Sequence, residues 1–318
     1  MRIVFMGTPE FAVRQLVELL SAGHEVTLVV TAPERPAGRG RKPARSAVEK
    51  AALEVGLKVI TPEDVNIPEV LEQIAWARPD VIVVAAFGQK LGKALLTIPR
   101  LGCFNVHASL LPRYRGAAPI NRAIINGDEV TGVTIQSIAP RIDRGAIAGQ
   151  KEVRIDPTWN VTPLANRLAE TGAGLLREVL AQLEAGKLEL REQPSEGASY
   201  APRLSKSDGI IDWSRSATNI HNLVRGVTPW PGAQTWRTDS DGHKLQLLLT
   251  ETAIIEDERS RGEPGEVVGV TDAGIDVACG AGVLRVMKLK PAGKREMTAA
   301  EFVHGHRWKV GDRLSDKT

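Results

Sequence analysis

Two cysteines in 318 residues, Cys103 and Cys279, leave no basis for a disulfide framework. They stand far apart and neither has a Cys-x-x-Cys partner, so a reducing cytoplasm is the expected compartment. Long apolar runs are missing as well. No stretch approaches the roughly 20 residues that cross a bilayer. The first apolar run, 3–6, is broken at once by Gly7-Thr8-Pro9-Glu10, too early for a secretory signal. Net charge is only +3, so the average says little about partners. The first strand-to-helix turn reads Gly7-Thr8-Pro9 and lacks a Gly-x-Gly-x-x-Gly fingerprint, and no Walker lysine loop occurs. Dinucleotide-dependent redox and nucleotide-driven chemistry are thereby disfavoured. No metal is expected: His304 and His306 have no Cys or carboxylate at ligand spacing.

What is present is a soluble-protein composition, 42% hydrophobic and 25% charged, long enough for two domains. Apolar runs predict strands over 2–6, 24–31, 57–60, 81–86 and 103–107, alternating with helices over 11–22, 46–55 and 65–77. That alternation implies a mostly parallel sheet covered on both faces. Thr8 is a candidate cap for the first helix. Residues 32–45 read as a long loop carrying Arg35, Arg39, Arg41, Lys42 and Arg45. A long helical pattern covers 162–184, after which the chain turns polar with Pro194, Gly197 and Pro202. Beyond it one helix, 217–227, precedes short strands at 234–237, 245–250, 266–270, 275–278 and 283–289, a texture that suggests a small barrel. The expected organisation is therefore a first domain over 1–188, a linker over 189–206 and a second domain over 207–318. A second basic cluster, Lys288, Lys290, Lys294 and Arg295, falls on the last of these strands and just after it.

The most informative stretch is Phe104-Asn105-Val106-His107-Ala108-Ser109-Leu110-Leu111-Pro112. On a strand, Asn105 and His107 share a face, and Ser109 to Pro112 then ends the strand. An amide donor and a titratable imidazole thus stand at the carboxyl end, where open parallel sheets bind ligands. Asp143 offers a carboxylate to orient that imidazole. Each alone reads as structural: a satisfied histidine, an asparagine bonded to local backbone, an aspartate in a turn. Their joint occurrence with Ser-Leu-Leu-Pro favours catalysis, specifically movement of an acyl group onto an amine.

These residues carry a family resemblance. The opening Ile3-Val4-Phe5-Met6-Gly7-Thr8-Pro9-Glu10-Phe11, the loop Arg35-Pro36-Ala37-Gly38-Arg39-Gly40 and the core 105–112 resemble the methionyl-tRNA formyltransferases. So do Arg113-Tyr114-Arg115-Gly116-Ala117-Ala118-Pro119-Ile120, Thr131-Gly132-Val133-Thr134, Pro229-Trp230-Pro231 and Leu289-Lys290-Pro291-Ala292-Gly293-Lys294. The likeness spans essentially the whole chain. It implies a Rossmann-like formyltransferase domain followed by a C-terminal OB-like β-barrel. It also implies 10-formyltetrahydrofolate as formyl donor and initiator Met-tRNA as acceptor, handled by a cytoplasmic enzyme expected to be a monomer.

On this resemblance the catalytic trio is Asn105, His107 and Asp143. Asn105 and His107 are expected to donate hydrogen bonds to negative charge developing on the formyl oxygen, with Asp143 orienting His107. Ser109, Leu110, Leu111 and Pro112, with Phe87 and Gly88, are expected around the folate, Phe87 offering a stacking face. Arg35, Arg39, Arg41, Lys42 and Arg45 on one loop, and Lys288, Lys290, Lys294 and Arg295 on the barrel, are expected to meet tRNA phosphates. The family's Leu-Asp-Thr-Gly-Asp segment is written here Ile142-Asp143-Arg144-Gly145-Ala146. Arg144 brings a cation beside the carboxylate; the expectation is that it points outward. Two other readings stay in view: a formylfolate enzyme acting on a small amine, and an RNA-binding protein with a degenerate enzyme domain.

Overall fold

The apolar runs become five neighbouring strands of a seven-stranded sheet. In the computed structural model the described residues are 1–37, 42–238, 244–256, 261–306 and 308–316. They divide into two compact units, and the division does not follow a single cut. The first unit comprises Met1–Pro119, Val130–Arg154 and Ala165–Ala201; the second comprises Ile120–Glu129, Ile155–Leu164 and Pro202–Thr318.

In the first half of the chain the elements are β1 (Arg2–Gly7), α1 (Glu10–Ser21), β2 (Glu25–Val30), β3 (Arg35–Ala37) and β4 (Lys42–Ala44). There follow α2 (Ala47–Glu54), β5 (Val59–Ile60), α3 (Pro68–Trp76), β6 (Val81–Ala85), α4 (Lys93–Leu96) and β7 (Cys103–His107). Then come β8 (Arg115–Gly116), α5 (Pro119–Ile125), β9 (Val130–Ser137), β10 (Ile147–Arg154), α6 (Val161–Glu184) and β11 (Tyr200–Ala201). The sheet order is β10-β9-β7-β6-β1-β2-β5. β7, β6, β1, β2 and β5 run parallel, and every residue of β6 is buried, as a strand covered on both faces requires. β9 and β10 are antiparallel additions beside β7. They are the strands the sequence does not announce, because Gly132, Gln136, Gly149 and Gln150 dilute their apolar alternation.

Three local expectations change. The long loop over 32–45 contains a two-stranded ribbon, Arg35↔Ala44 to Ala37↔Lys42. Thr8 does not cap α1; its hydroxyl donates to the Phe87 carbonyl at 3.2 Å, and Pro9 is the cap residue. The polar stretch expected as a linker is hydrogen-bonded into the first unit: Arg191 pairs with Ile147, and β11 runs parallel to β8. Ser46 caps α2, its side chain accepting from Glu49 N at 2.9 Å.

The second half continues with a short 3-10 turn (Lys206–Gly209), α7 (Ala217–Val227), β12 (Ala233–Thr238), β13 (Lys244–Glu256), β14 (Val267–Thr271) and β15 (Gly274–Ala278). It ends with β16 (Val283–Pro291), β17 (Met297–Thr298), α8 (Ala299–His306) and β18 (Leu314–Ser315). The strands form an antiparallel sheet ordered β14-β15-β16-β13-β12-β18, with β17 on β16. This sheet curls on itself: Leu314 N donates to Gly265 O at 2.8 Å and Gly311 N to Val267 O at 2.9 Å. The result is the small barrel expected. Its core gathers Ile220 and Val224 of α7, Leu247, Leu249, Leu284 and Leu289 from the strands, and Phe302 of α8. Trp213, Trp236 and Trp308 are buried, while Trp230 is 54% exposed and lies outside that core. Burial pushes the thiols of Cys103 and Cys279 up to about 12, so both are inert at neutral pH. Among the described residues, no helix is long and apolar enough to cross a membrane.

Candidate active site

Period-two geometry puts Asn105 and His107 on one face at the carboxyl end of β7. Asn105 is half-buried, in register with Val84 of β6 and Gln136 of β9. Among the described residues its amide has no hydrogen-bond partner. His107 is only 5% exposed. Its Nε2 lies 3.0 Å from the Tyr114 carbonyl oxygen. A carbonyl can only accept, so Nε2 carries the hydrogen whatever the charge on the ring. Nδ1 is therefore the nitrogen left to exchange a proton, and it faces Asp143 Oδ1 at 3.7 Å. That is too long for a hydrogen bond and within ion-pair distance when the ring carries its second proton.

Asp143 sits in a turn between β9 and β10 with φ of 51°, a left-handed conformation that aspartate tolerates better than most residues. Gly145 fixes the turn against β9. A Cβ there would stand 1.6 Å from the Ser137 carbonyl oxygen, so only glycine allows this approach. The carboxylate is held at both oxygens: Gly116 N donates to Oδ2 at 2.8 Å and Gln136 Nε2 donates to Oδ1 at 2.9 Å. Its backbone carbonyl accepts from Arg115 Nε at 3.1 Å and from Gln193 Nε2 at 2.9 Å. Arg144 is exposed and makes no ion pair with Asp143 among the described residues. Its charge is felt instead by Arg115, whose pKa is lowered by burial first and by repulsion from Arg144 second, against attraction from Asp143. The outward orientation expected of Arg144 thus has a different cause from alternation along a strand: the segment is a turn.

The loop after β7 is tied down by its own polar groups. Ser109 Oγ donates to Arg113 O at 2.6 Å, Thr134 Oγ1 donates to Ser109 O at 2.7 Å, and Leu111 N donates to Thr134 Oγ1 at 3.0 Å. Ser109 and Leu111 are buried, so of the residues expected around a folate these two shape the loop from inside. Leu110 remains half-exposed. The Phe87 ring lies in the core with Val4, Met6 and Leu91 and offers no open stacking face. Just past the end of β6, however, Ala86 and Gly88 are exposed.

The basic residues are more dispersed than their sequence clusters. Arg35 pairs with Glu63, and Arg45 lies 3.5 Å from Glu34 and 3.3 Å from Glu49. Arg39 and Arg41 lie outside the described residues, and of Lys42 only the backbone in β4 is described. On the barrel, Lys288 pairs with Glu251 across β13 and β16 at 2.6 Å, and Arg295 pairs with Glu301 at 3.1 Å. The local sequence around 288–295 holds no acid before Glu296, yet the antiparallel register supplies one from 37 positions upstream. Lys290 and Lys294 take part in no ion pair among the described residues.

Sequence reasoning missed Gln136, Gln193, Tyr114 and Ser199. Thr134 and Gln136, two buried polar residues at period two on β9, are the signal that a polar face was being built there. Gln193 and Ser199, whose Oγ accepts from Tyr114 N at 2.9 Å, arrive from the supposed linker and carry no such signal.

The chain is similar to known formyltransferases over nearly its whole length. Residues 1–180 match the family model "Formyl transferase" and residues 203–307 match "Formyl transferase, C-terminal domain". The chain is 44% identical over 317 residues to a methionyl-tRNA formyltransferase of Geotalea daltonii, covering 100% of this chain and 99% of that one. It is 43% identical to one of Acetivibrio thermocellus, covering 98% of both. Among solved structures, HypX from Aquifex aeolicus in complex with tetrahydrofolic acid superposes with a TM-score of 0.64 at 17% identity, over 98% of this chain and 50% of that one. An N-formyltransferase from Helicobacter canadensis in complex with folinic acid and dTDP-3-aminofucose gives 0.63 at 16%, over 89% and 98%. These two likenesses establish the fold.

Proposed function

Because the chain belongs to the methionyl-tRNA formyltransferase family, we propose that it transfers the formyl group of 10-formyltetrahydrofolate to the amino group of methionine on initiator tRNA. The observation that carries this reading is the convergence at one strand end of an unengaged Asn105 amide, a His107 with one free nitrogen, and Asp143 at 3.7 Å from it. The folate, when bound, supplies a formyl carbonyl open to attack by an amine. The residues present fit such a ligand: Ala86 and Gly88 are exposed just past β6, the strand that pairs with Asn105's strand, and leave polar backbone groups near the edge a flat heterocycle would meet. Asn105 donates to the formyl oxygen as negative charge gathers there; one preorganised donor of this kind is worth roughly 2.7–4 kcal/mol. His107 Nδ1 would take the proton from the attacking methionine amine and return it to the folate nitrogen as its bond to the formyl carbon breaks, a role worth about 10²–10⁴-fold. Asp143 balances the charge on the ring when that proton is held. Arg39, Arg41 and Lys42, with Arg35 and Arg45 once freed from their acids, draw the acceptor arm through its phosphates. Lys290 and Lys294 do the same from the barrel, with Lys288 and Arg295 joining if tRNA displaces Glu251 and Glu301. The enzyme acts in the cytoplasm, where its tRNA substrate resides.

A small-amine acceptor is the competing reading, since the fold is shared with sugar N-formyltransferases at 16–21% identity. The 43–44% identity to tRNA enzymes over the full chain favours tRNA. Incubating the protein with 10-formyltetrahydrofolate and either charged initiator tRNA, an amino-sugar nucleotide or glycinamide ribonucleotide decides between them. Formylmethionyl-tRNA is the expected product. Formylation of a small amine with Met-tRNA left untouched would overturn the assignment.

A further inference from the structure

Asp143 is approached from behind by a chain of hydrogen bonds that begins on a cation. Arg115 Nη2 and Nε donate to Gln193 Oε1 at 2.7 and 3.1 Å. Gln193 Nε2 lies 3.1 Å from Gln136 Oε1, 2.9 Å from Asp143 O and 2.8 Å from Gly145 O. Gln136 Nε2 then donates to Asp143 Oδ1 at 2.9 Å. Both ends are unipolar. A guanidinium can only donate and a carboxylate can only accept, so the two amides between them have one allowed orientation each. An amide flipped at either position would set oxygen against oxygen at one end and nitrogen against nitrogen at the other.

From this arrangement we propose that Gln193, from the polar segment after α6, is a positioning residue for formyl transfer. Acting through Gln136, it holds the Asp143 carboxylate in place opposite His107 Nδ1. Its amide nitrogen also bonds the backbone carbonyls of Asp143 and Gly145, so the same group fixes the left-handed turn and the carboxylate that the turn presents. The network replaces what the turn's own sequence does not provide, since Arg144 points to solvent and Ala146 has no polar side chain. The inference rests on the formyl-transfer reading for its kinetic consequence and on the hydrogen-bond chain alone for its structural one.

Gln193→Glu separates the two things this residue does. The substitution keeps an oxygen for Arg115 and nearly the same shape, while removing the donor to Gln136, Asp143 and Gly145. Expected is a fall in kcat of about tenfold, the scale of one lost hydrogen bond. KM for both substrates should stay within about twofold, while the melting temperature falls because the new carboxylate oxygen faces the carbonyls of Asp143 and Gly145. Side-chain amide NMR gives the second readout: the Gln136 NH₂ resonances should move from their wild-type position. Gln136→Met breaks the chain at the next link. It should lower kcat similarly and add little when combined with Gln193→Glu, and it decides the matter should Gln193→Glu fail to fold. Wild-type kcat in Gln193→Glu with unmoved Gln136 resonances, a change confined to KM, or fully additive losses in the double variant would overturn the proposal. If the wild-type protein transfers no formyl group, the functional reading fails, and the Gln136 resonances alone decide whether Gln193 orients the pair.

Discussion

The Asp143 turn and the Lys288–Arg295 edge of the barrel are both rich in charge, and they use it in opposite ways. Around Asp143 the two glutamine amides each admit one orientation, and the carboxylate is largely shielded from water. There a single lost bond leaves a polar group stranded, so individual residues carry large effects. Along the barrel edge, Lys288–Glu251 and Arg295–Glu301 are exposed pairs. Such exposed pairs contribute little and are screened by salt. The buried cluster is suited to chemistry that needs fixed geometry. The exposed one is suited to a polyanion that arrives, displaces an acid, and leaves.

The sharpest way to break this contrast is Asp143→Asn. The variant keeps the shape but not the charge, and kcat should fall by about 10²–10⁴-fold with the fold intact by circular dichroism. A loss under tenfold would put Asp143 on the same footing as the surface charges. Asn105→Ala should cost about 10²–10³-fold in kcat through one missing donor, with KM for formylfolate changing much less. Neutralising Arg39, Arg41 and Lys42 together should act on the other side of the comparison. KM for Met-tRNA should rise about tenfold, formylfolate binding should hold, and the log–log salt slope should flatten by about 2, at about 0.7 per phosphate contact. Equal effects on both substrates would remove the loop from tRNA binding.

The smallest effect tests whether the barrel also holds a group of the buried kind. His221 of α7 bonds Thr252 Oγ1 at 2.9 Å. Its pKa is lowered to about 4, by burial first and by nearby Arg225 second, opposed by the Pro157 backbone. In the unfolded chain it titrates near 6.5, so between those values the unfolded state binds the extra proton. Stability should therefore fall as pH drops from about 6.5 to 4, and His221→Gln should flatten that part of a melting-temperature profile. A profile identical to wild type would show the barrel indifferent to this histidine.

β7 was legible to the residue: 103–107 emerges from the apolar run, and the shared face of Asn105 and His107 follows from period two alone. α7 was equally legible, because Ser216 caps an amphipathic pattern that ends at Val227. What escaped has a common cause. β9 and β10 carry glutamines and glycines because they build the polar wall of the site and pack closely against it, which erases the alternation that marks a strand. Lys288 read as an unopposed cation because its acid stands on the neighbouring strand. Gln193 read as linker because a residue that serves through long-range hydrogen bonds leaves no periodic trace. Phe87 read as a stacking platform because its position at a strand end is visible from sequence, whereas its inward rotamer is not.

The interleaving of the two compact units constrains how such a protein can be recombined. Segment 120–129 belongs with the barrel unit: Asn121 Nδ2 donates to the Gly226 carbonyl at 2.8 Å, and a Cβ at Gly226 would stand 2.4 Å from Ile125. A chimera that grafts a foreign C-terminal half at residue 202 would therefore import an α7 shaped for another protein's 120–129. Module exchange between relatives should succeed only when that short internal stretch travels with the tail.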